Sequence, residues 1–216
     1  VEAEADYFVR CSERLRHKQR ALTPWDYEHL VLDAFPGIYL AKCLPTSTVD
    51  DKGTTVQLLV IPDIRNTHAY NPFEPKVPSD TLIAISRYLE PYVPPFTRIA
   101  ARNAVYEPVL VRAMVRLKKG YYETGYYKEQ TNRAIQRYLS PWAFQEGADI
   151  SLGGRLYVSN LIHFVENLEW VEYVKNVYLK NTRTKQIIGM MSQQSYLETS
   201  GPECIWCSTP EHYTTV

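Results

Sequence analysis

The stretch TPWDYEHLVLDAFPGIYLAKCL, residues 23–44, contains a helix start, a helix end and the strand that follows. Thr23 is followed directly by Pro and, three positions on, by Asp26. This order favours a capped helix start, because Thr accepts from free backbone N–H groups and Pro suits the first helical turn. Apolar side chains then recur at helical spacing until Phe35, where Pro-Gly predicts the end of the helix. The apolar run Ile38–Leu44 predicts the first strand.

The rest of the first half predicts a hairpin, a loop and a second helix. Thr54–Ile61 contains VQLLVI, which is almost entirely apolar, as in a central strand covered on both faces. Because polar residues separate it from the first predicted strand, we expect the two strands to form a hairpin with a long loop. Asp63–Pro78 is rich in Asn and Pro and predicts a surface loop. Ser79 is expected to cap a second helix that ends before Pro91.

The second half predicts a sheet with one solvated face and two more helices. Strands are expected at Arg98–Tyr106 and Val109–Lys118. The second of them alternates apolar and basic residues, so one of its faces is expected to meet water. Helices are expected at Gly125–Leu139 and near Val158–Leu168, followed by a strand near Val171–Leu179.

These elements predict an α+β fold: two small layered α/β units with mainly antiparallel sheets, joined by a Pro-rich connector. The connector is PYVPP, residues 91–95, which favours extended backbone and cannot continue a helix. We expect an N-terminal basic segment at 1–22, continuing from a longer chain because the sequence opens on Val. A first α+β unit at 23–93 and a second at 94–180 follow. Residues 181–216 are expected to form a polar C-terminal extension that orders only against a neighbour.

Composition limits the function classes. The 216 residues carry 24 Lys plus Arg and 24 Asp plus Glu, so the formal net charge is zero and gives no electrostatic argument for nucleic acid or membrane surfaces. No window has the roughly 18 apolar residues of a membrane span, and no signal peptide is evident. Tyr supplies 17 of the 27 aromatic residues, and its apolar ring with a polar hydroxyl favours protein contact surfaces.

A search for catalytic chemistry predicts no catalytic, metal-binding or cofactor-binding residue, and no cofactor. The sequence has no GxSxG, GxxxxGK[ST], HExxH or post-strand GxGxxG motif. His163 and Glu166 lie three apart on a predicted helix, and Cys204 and Cys207 form one CxxC, but each pair supplies only half of a metal site. The turn Gly153–Arg155 suits either a phosphate nest or plain turn geometry, and nothing else supports a nucleotide.

Two groups of residues are candidate subunit contacts, with ordinary solvated surface as the alternative for both. Arg side chains bind carboxylates in register, which suits a docking surface. The first group, the N-terminal basic stripe, consists of Arg10, Arg14, Arg16, Lys18 and Arg20 with Trp25. The second, the Arg–Tyr region, consists of Arg112, Arg116, Lys118, Tyr121 and Tyr122.

The tyrosine pairs leave a second function open. Tyr121-Tyr122 and Tyr126-Tyr127 could stack bases if a positive groove surrounded them, and Lys118, Lys119 and Lys128 lie nearby in the sequence. A nucleic-acid-binding α+β module is therefore the alternative function.

Several blocks resemble one known family. SERLRHKQRALTPWDYEHLVLDAFPGIYLAKCLP, Ser12–Pro45, resembles the conserved block of the baseplate J-like family. NAVYEPVLVRAMVRLKKGYY, AIQRYLSPW, GGRLYVSNLIHFVE and VEYVKNVYL resemble its C-terminal portion. Together the blocks span roughly Ser12–Leu179, and the tail after Lys185 has no counterpart. The motif SERLRHK is most similar to the corresponding sequence in members from extracellular contractile injection systems.

The resemblance implies a structural role rather than an enzyme. Members are wedge components of the baseplates of contractile phage tails, of phage-tail-like injection systems and, more distantly, of type VI secretion machines. The chain would be the C-terminal part of such a subunit, contacting a paralogous wedge subunit, copies of itself, the central spike or hub, and sheath-proximal baseplate proteins. Six wedges would surround the spike and rearrange to release sheath contraction. Assembly in the bacterial cytoplasm into a phage-tail-like particle would follow, with no membrane span and no nucleic-acid partner.

Overall fold

The computed structural model describes residues 4–18, 20–44, 49–50, 53–64, 71–145, 148, 150–190, 192 and 194–215. The chain divides into two compact units. The first consists of Val1–Tyr70 and Pro75–Ala104, and the second of Asn71–Glu74 and Val105–Val216. Each unit combines helices with a sheet, which confirms the predicted α+β class.

In the first unit, strand β3 (Gly53–Pro62) lies at the centre of the sheet. Strands β1 (Ile38–Leu44) and β2 (Val49–Asp50) pair with it antiparallel, and β4 (Thr97–Asn103) pairs with it parallel. Residues Leu58 to Ile61 of β3 are all buried, as expected for a strand covered on both faces. The described elements are α1 (Glu4–His17), α2 (Pro24–Ala34), β1 (Ile38–Leu44), β2 (Val49–Asp50), β3 (Gly53–Pro62), α3 (Ser79–Leu89), a 3₁₀ turn (Glu90–Tyr92) and β4 (Thr97–Asn103).

Helix α2 begins as the sequence predicts. The Thr23 hydroxyl accepts the Asp26 N–H at 3.3 Å, and the Asp26 carboxylate accepts the Thr23 N–H at 2.8 Å. This reciprocal pair is a capping box. The prediction for Ser79 is wrong: α3 follows Pro78, and no side chain caps it. Pro has already removed one N–H donor and fixed the backbone there.

Helix side chains form hydrogen bonds with strands at both edges of this sheet. The Glu28 carboxylate of α2 accepts the N–H of Cys43 on β1 at 3.0 Å. The Ser86 hydroxyl of α3 accepts the N–H of Ala101 on β4 at 3.3 Å. Each contact satisfies one backbone N–H group of an edge strand.

In the second unit, β5 (Val105–Leu117) is the central strand. On one edge it pairs antiparallel with β7 (Val171–Asn181), and β8 (Ile187–Gly189) extends the sheet beyond β7. On the other edge it pairs parallel with β10 (Cys204–Ser208) and β11 (Tyr213–Thr215). A separate pair, β6 and β9, is antiparallel. The described elements are β5 (Val105–Leu117), α4 (Thr124–Leu139), a 3₁₀ turn (Pro141–Ala143), β6 (Arg155–Tyr157), α5 (Val158–Glu166), β7 (Val171–Asn181), β8 (Ile187–Gly189), β9 (Tyr196–Glu198), β10 (Cys204–Ser208) and β11 (Tyr213–Thr215).

The predicted alternation of β5 is confirmed. Val109, Val111 and Val115 are buried and belong to a core that also holds Ile135 of α4 and Leu161 of α5. The intervening side chains of β5 point to the opposite face of the sheet, away from both helices. The sheets are mainly antiparallel, but each central strand also has a parallel neighbour.

The division between the units differs from the expected boundary at the Pro-rich connector. The predicted strand Arg98–Tyr106 is broken at Ala104: β4 belongs to the first unit and β5 to the second. β4 must stay with the first unit because it pairs with β3 along Thr54–Val60. The Tyr92 carbonyl within the connector also accepts the Ala21 N–H at 2.8 Å.

Both termini contain more structure than expected. Residues 4–17 form α1, where the sequence predicted only a basic segment. The expected polar extension supplies β8 to β11, and Cys204, Ile205 and Cys207 are at most 1% exposed. Short strands of this kind escape prediction because their stability comes from pairing with a distant β5. None of the helices in the described part of the chain is long and apolar enough to cross a membrane.

Candidate subunit-contact surfaces

Helix α1 uses part of the N-terminal basic stripe to contact α2. Arg14 lies 3.7 Å from the Asp33 carboxylate of α2. The guanidinium of Arg16 lies 4.1 Å from the centre of the Trp25 ring. Arg10 lies in α1, and its side chain is outside the described part of the structure. Arg14 and Arg16 therefore make contacts within this chain.

The end of the stripe is more exposed. Lys18 has a φ of 48°, and its N–H donates to the Arg14 carbonyl at 3.0 Å, which closes α1. The side chains of Lys18 and Arg20 are both exposed. These two residues remain available to a partner.

Trp25 is half-buried in an aromatic and charged cluster. Its ring centre is 3.9 Å from that of His29, and His29 Nδ1 lies 3.1 Å from the Glu13 carboxylate. His29 therefore links the two helices, and the Glu28 carboxylate accepts the Cys43 N–H of β1. The His29 contact could not be predicted because it depends on α1 being a helix, and the Glu28 contact depends on how α2 packs against β1.

Within the Arg–Tyr region, Lys118 and Tyr121 make contacts inside the chain, whereas Tyr122 is exposed. The Lys118 ammonium donates to the Glu169 carbonyl at 2.9 Å, and the Tyr121 hydroxyl donates to the Glu169 carboxylate at 3.3 Å. These bonds brace the turn that leads into β7. Tyr122 is 84% exposed, so it is the free aromatic residue of this region.

The neighbouring tyrosines pack on one another. The ring of Tyr127 meets those of Tyr121 and Tyr126 edge-on, each at 5.1 Å between centres, and lies 5.9 Å from Trp170. Trp170 Nε1–H donates to the Thr131 hydroxyl at 3.0 Å. Tyr127 and Tyr121 are therefore not free to stack on bases, which weakens the nucleic-acid interpretation at this position.

Arg112 lies on a surface that the sequence only partly revealed. Together with Met114 of the same strand, it lines an open groove of about 770 Å³ on the face of the sheet that α4 and α5 leave uncovered. We call this surface the outer sheet face. The alternation of β5 found Arg112 and Arg116, but its neighbours on other strands could be found only from the strand pairing. They include Tyr178, Lys180, Ile187 and Tyr213.

Ser208 and His212 form a buried pair that resembles a catalytic nucleophile and base. The hydrogen bond between them, however, runs from His212 to Ser208, opposite to that of a catalytic pair. His212 Nδ1 accepts the Val111 N–H at 3.2 Å, so Nε2 carries the proton and donates it to the Ser208 hydroxyl at 2.9 Å. Ser208 in turn donates to the Thr209 carbonyl. Burial lowers the pKa of His212 to about 4. The pair therefore fixes β10 and β11 against β5, and the His cannot take a proton from the Ser.

The two cysteines of the CxxC motif cannot act together. They lie three residues apart on β10, so their side chains point to opposite faces of the strand. Burial and the nearby Glu107 carboxylate raise the pKa of Cys204 to about 11, and burial also raises the pKa of Cys207. Both side chains are suited to packing and not to thiolate chemistry.

His163 and Glu166, the helix pair that could supply half of a metal site, each contact another residue of the chain. Glu166 accepts the Val174 N–H at 3.2 Å, whereas His163 contacts Asn167 at 3.0 Å. Within the described residues, no three His, Cys, Asp or Glu side chains are placed to hold a metal ion.

The glycine turn is used in packing. Gly153, at φ +68°, donates its N–H to the Cys204 carbonyl at 2.8 Å. Arg155 lies 3.1 Å from the Glu198 carboxylate. This turn therefore joins β6 to its neighbours and does not present its first N–H to an anion.

The chain is similar to known proteins in its fold and in its sequence family. Among solved structures, the chain is similar to a chain of the anti-feeding prophage baseplate determined by cryo-EM with 6-fold symmetry, at 18% identity and a TM-score of 0.69. The match covers 96% of this chain and 42% of that chain, so the sequence spans about two fifths of its length. No curated protein matches.

A family model described as baseplate protein PVC11-like matches residues 1–198. This description agrees with the prediction of a baseplate protein. The baseplate J-like assignment itself is not confirmed. By that match over most of its length, the chain belongs to the PVC11-like family of baseplate proteins.

Proposed function

We propose that this chain is a structural wedge component of the baseplate of a contractile injection system, and that it acts through its surfaces without catalysis. The observation that carries this proposal is the PVC11-like family match over residues 1–198. The fold likeness to a chain of the anti-feeding prophage baseplate, at a TM-score of 0.69, supports it. The local, packing roles of the Ser208–His212 pair and the CxxC motif agree with a non-enzymatic role.

The proposed partners are other baseplate proteins: a paralogous wedge subunit, further copies of this chain, the central spike or hub, and sheath-proximal proteins. Lys18 and Arg20 are exposed beside Leu15 and Leu22, which are 74% and 64% exposed. A mixture of apolar and cationic side chains at one helix end suits a registered protein contact. The chain would assemble in the bacterial cytoplasm and remain in the finished particle.

The proposed wedge role couples baseplate rearrangement to sheath contraction. Contacts that hold and later release need moderate, polar interfaces rather than a continuous apolar one. The exposed cations of the N-terminal basic stripe fit this requirement.

Two measurements test the proposal. An electron-microscopy map of the parent particle is expected to show this chain in a six-fold ring around the spike. Co-expression with the paralogous wedge subunit is expected to give a complex that co-elutes at low salt. The double variant Lys18→Glu, Arg20→Glu is expected to weaken that complex about tenfold or more.

A matched control is Lys119→Glu, Lys128→Glu, which makes the same charge change at exposed positions of the second unit. Its complex is expected to match the wild type. If the chain lies outside any ring and the two proteins elute separately at all salt concentrations, the proposal is wrong.

A further inference from the structure

The outer sheet face has an ordered arrangement of side chains. Strand pairing places Tyr213 of β11 beside Arg112 of β5, and Arg112 beside Tyr178 of β7. Ile187 of β8 pairs with Lys180 of β7. Aromatic, cationic and aliphatic side chains therefore lie side by side across four strands.

This face exposes four large apolar or aromatic side chains. Ile187 and Tyr213 are 59% and 63% exposed, and Met114 and Tyr178 are 48% and 47% exposed. These four side chains line the same groove of about 770 Å³. Exposed apolar side chains that converge on one groove, rather than being scattered singly, mark a binding site.

The floor of the groove is held in place. The Tyr178 ring lies so close to Gly189 that a Cβ there would come within 2.6 Å of Tyr178 Cδ1. The absence of a side chain at Gly189 thus leaves room for the ring to pack against β8. A ring fixed in this way loses little conformational entropy on binding.

The charged side chains that line the groove have one sign. Arg112 and Lys180 line the groove, and its described lining residues include no carboxylate. Arg116 and Lys175 lie beside them on β5 and β7. In the described part of the chain, none of these four cations has a carboxylate partner within 4 Å. An occupant that buries the apolar side chains must therefore bring negative charge with it.

We propose that the outer sheet face binds an acidic segment of another baseplate subunit, in which Asp or Glu residues accompany apolar side chains. The apolar residues would fill the groove over Met114 and Ile187, and the carboxylates would reach Arg112 and Lys180. The inference rests on the proposed baseplate function and names the chemistry of one partner. A nucleic acid would satisfy the cations and stack on the tyrosines, but it would leave Met114 and Ile187 without apolar partners.

Site-specific photo-crosslinking in assembled particles tests this inference. A photoreactive phenylalanine analogue in place of Ile187 is expected to crosslink to an acidic segment of a different baseplate subunit, identified by mass spectrometry. The same analogue in place of Tyr126, which is 53% exposed on α4, reports on the other side of the sheet and is the positional control. The Ile187 position is expected to give a product that the Tyr126 position does not.

Charge variants complete the test. In the background of Arg112→Glu, Lys180→Glu, the yield of the Ile187 product is expected to fall about tenfold or more. With the matched pair Lys119→Glu, Lys128→Glu it is expected to stay unchanged. Unchanged yield in the first background, or a product with nucleic acid, with a second copy of this chain or with a segment lacking acids, overturns the inference.

Incorporation of the chain into purified particles is scored first and separates the two proposals. If the chain is present but gives no product from the Ile187 position, the docking inference fails and the baseplate function stands. If the chain is absent from the particles, both fail.

Discussion

His212 shows how one buried side chain makes stability depend on pH. Burial lowers its pKa from 6.5 to about 4. Above pH 6.5 the imidazole is neutral in both the folded and the unfolded chain. Between pH 6.5 and 4 the unfolded chain binds a proton that the folded chain does not bind. The stability contributed by neutral His212 is therefore lost as the pH falls through this window.

We expect acidification from pH 7.5 to 5 to lower the free energy of unfolding by about 2 kcal/mol through His212 alone. The measurement is urea unfolding of the wild type and of His212→Gln, whose amide can still accept the Val111 N–H. The difference in stability between the two proteins should shrink as the pH falls. Parallel pH profiles for wild type and variant would contradict the assignment.

Phe96 combines backbone strain with exposure. Its φ is 66°, in the left-handed region that favours glycine, and its side chain is 86% exposed. Its carbonyl accepts the Thr54 N–H at 3.2 Å, which fixes the turn before β4. The ring therefore contributes little packing to offset the cost of the conformation.

Phe96→Gly is expected to raise the free energy of unfolding by about 1 kcal/mol, because glycine adopts this φ without steric cost. Phe96→Ala keeps the Cβ and is the control for loss of the ring. Urea midpoints of the three proteins measure the effect. A glycine variant no more stable than the alanine variant would show that the backbone strain is not relieved.

At the scale of elements, the starts of α2 and α3 in the first unit differ in their caps. The Thr23 side chain and Asp26 form a reciprocal capping box before α2, whereas no side chain caps α3. The residues Thr23 and Ser79 look equivalent in the sequence, since each precedes an acid and an apolar helical pattern. Only Thr23 accepts a helix N–H.

Thr23→Ala is consequently expected to lower the free energy of unfolding by about 1 kcal/mol, since a helix N–H loses its acceptor. Ser79→Ala is the matched control and should have an effect close to zero. Chemical denaturation of both variants measures this difference. Equal losses would mean that hydroxyl caps act alike at both helices and that the difference in bonding is unimportant.

At the scale of the whole molecule, local patterns predicted most helices and strands, and long-range pairing decided the rest. Helix α2 and the alternation of β5 follow from spacing, capping and turn residues that act over a few positions. β10 and β11 are short and lie in a polar tail, and they become core strands only because β5, about 100 residues earlier, pairs with them. The split of the predicted strand at Ala104 also depends on pairing partners.

The candidate contact surfaces were predictable to a similar extent. Exposed Arg112 and Arg116 follow from the alternation of one strand. Met114 lies on the same strand, but Tyr178, Ile187 and Tyr213, which complete the outer sheet face, come from three other strands, so no linear pattern contains them. Arg14 and Arg16, predicted as partner contacts, also contact α2, and these contacts could not be predicted because the sequence did not reveal that residues 4–17 form a helix.

The two units have separate hydrophobic cores, and their stabilities should be separable. Ile85 is fully buried in the core of the first unit, and Ile135 is fully buried in that of the second. Truncating a buried Ile removes apolar contacts and leaves a cavity, at a cost of about 2–5 kcal/mol. Because the two clusters share no residue, each loss should remain within its own unit.

Ile85→Ala is expected to speed amide hydrogen exchange in β1 and β3 by about tenfold or more, with β5 and β7 unchanged. Ile135→Ala is the reciprocal control and should give the opposite pattern. Hydrogen exchange followed by mass spectrometry distinguishes the two sets of peptides. If either variant accelerates exchange in all four strands, the chain unfolds as one cooperative body, and the division at Ala104 is geometric and not energetic.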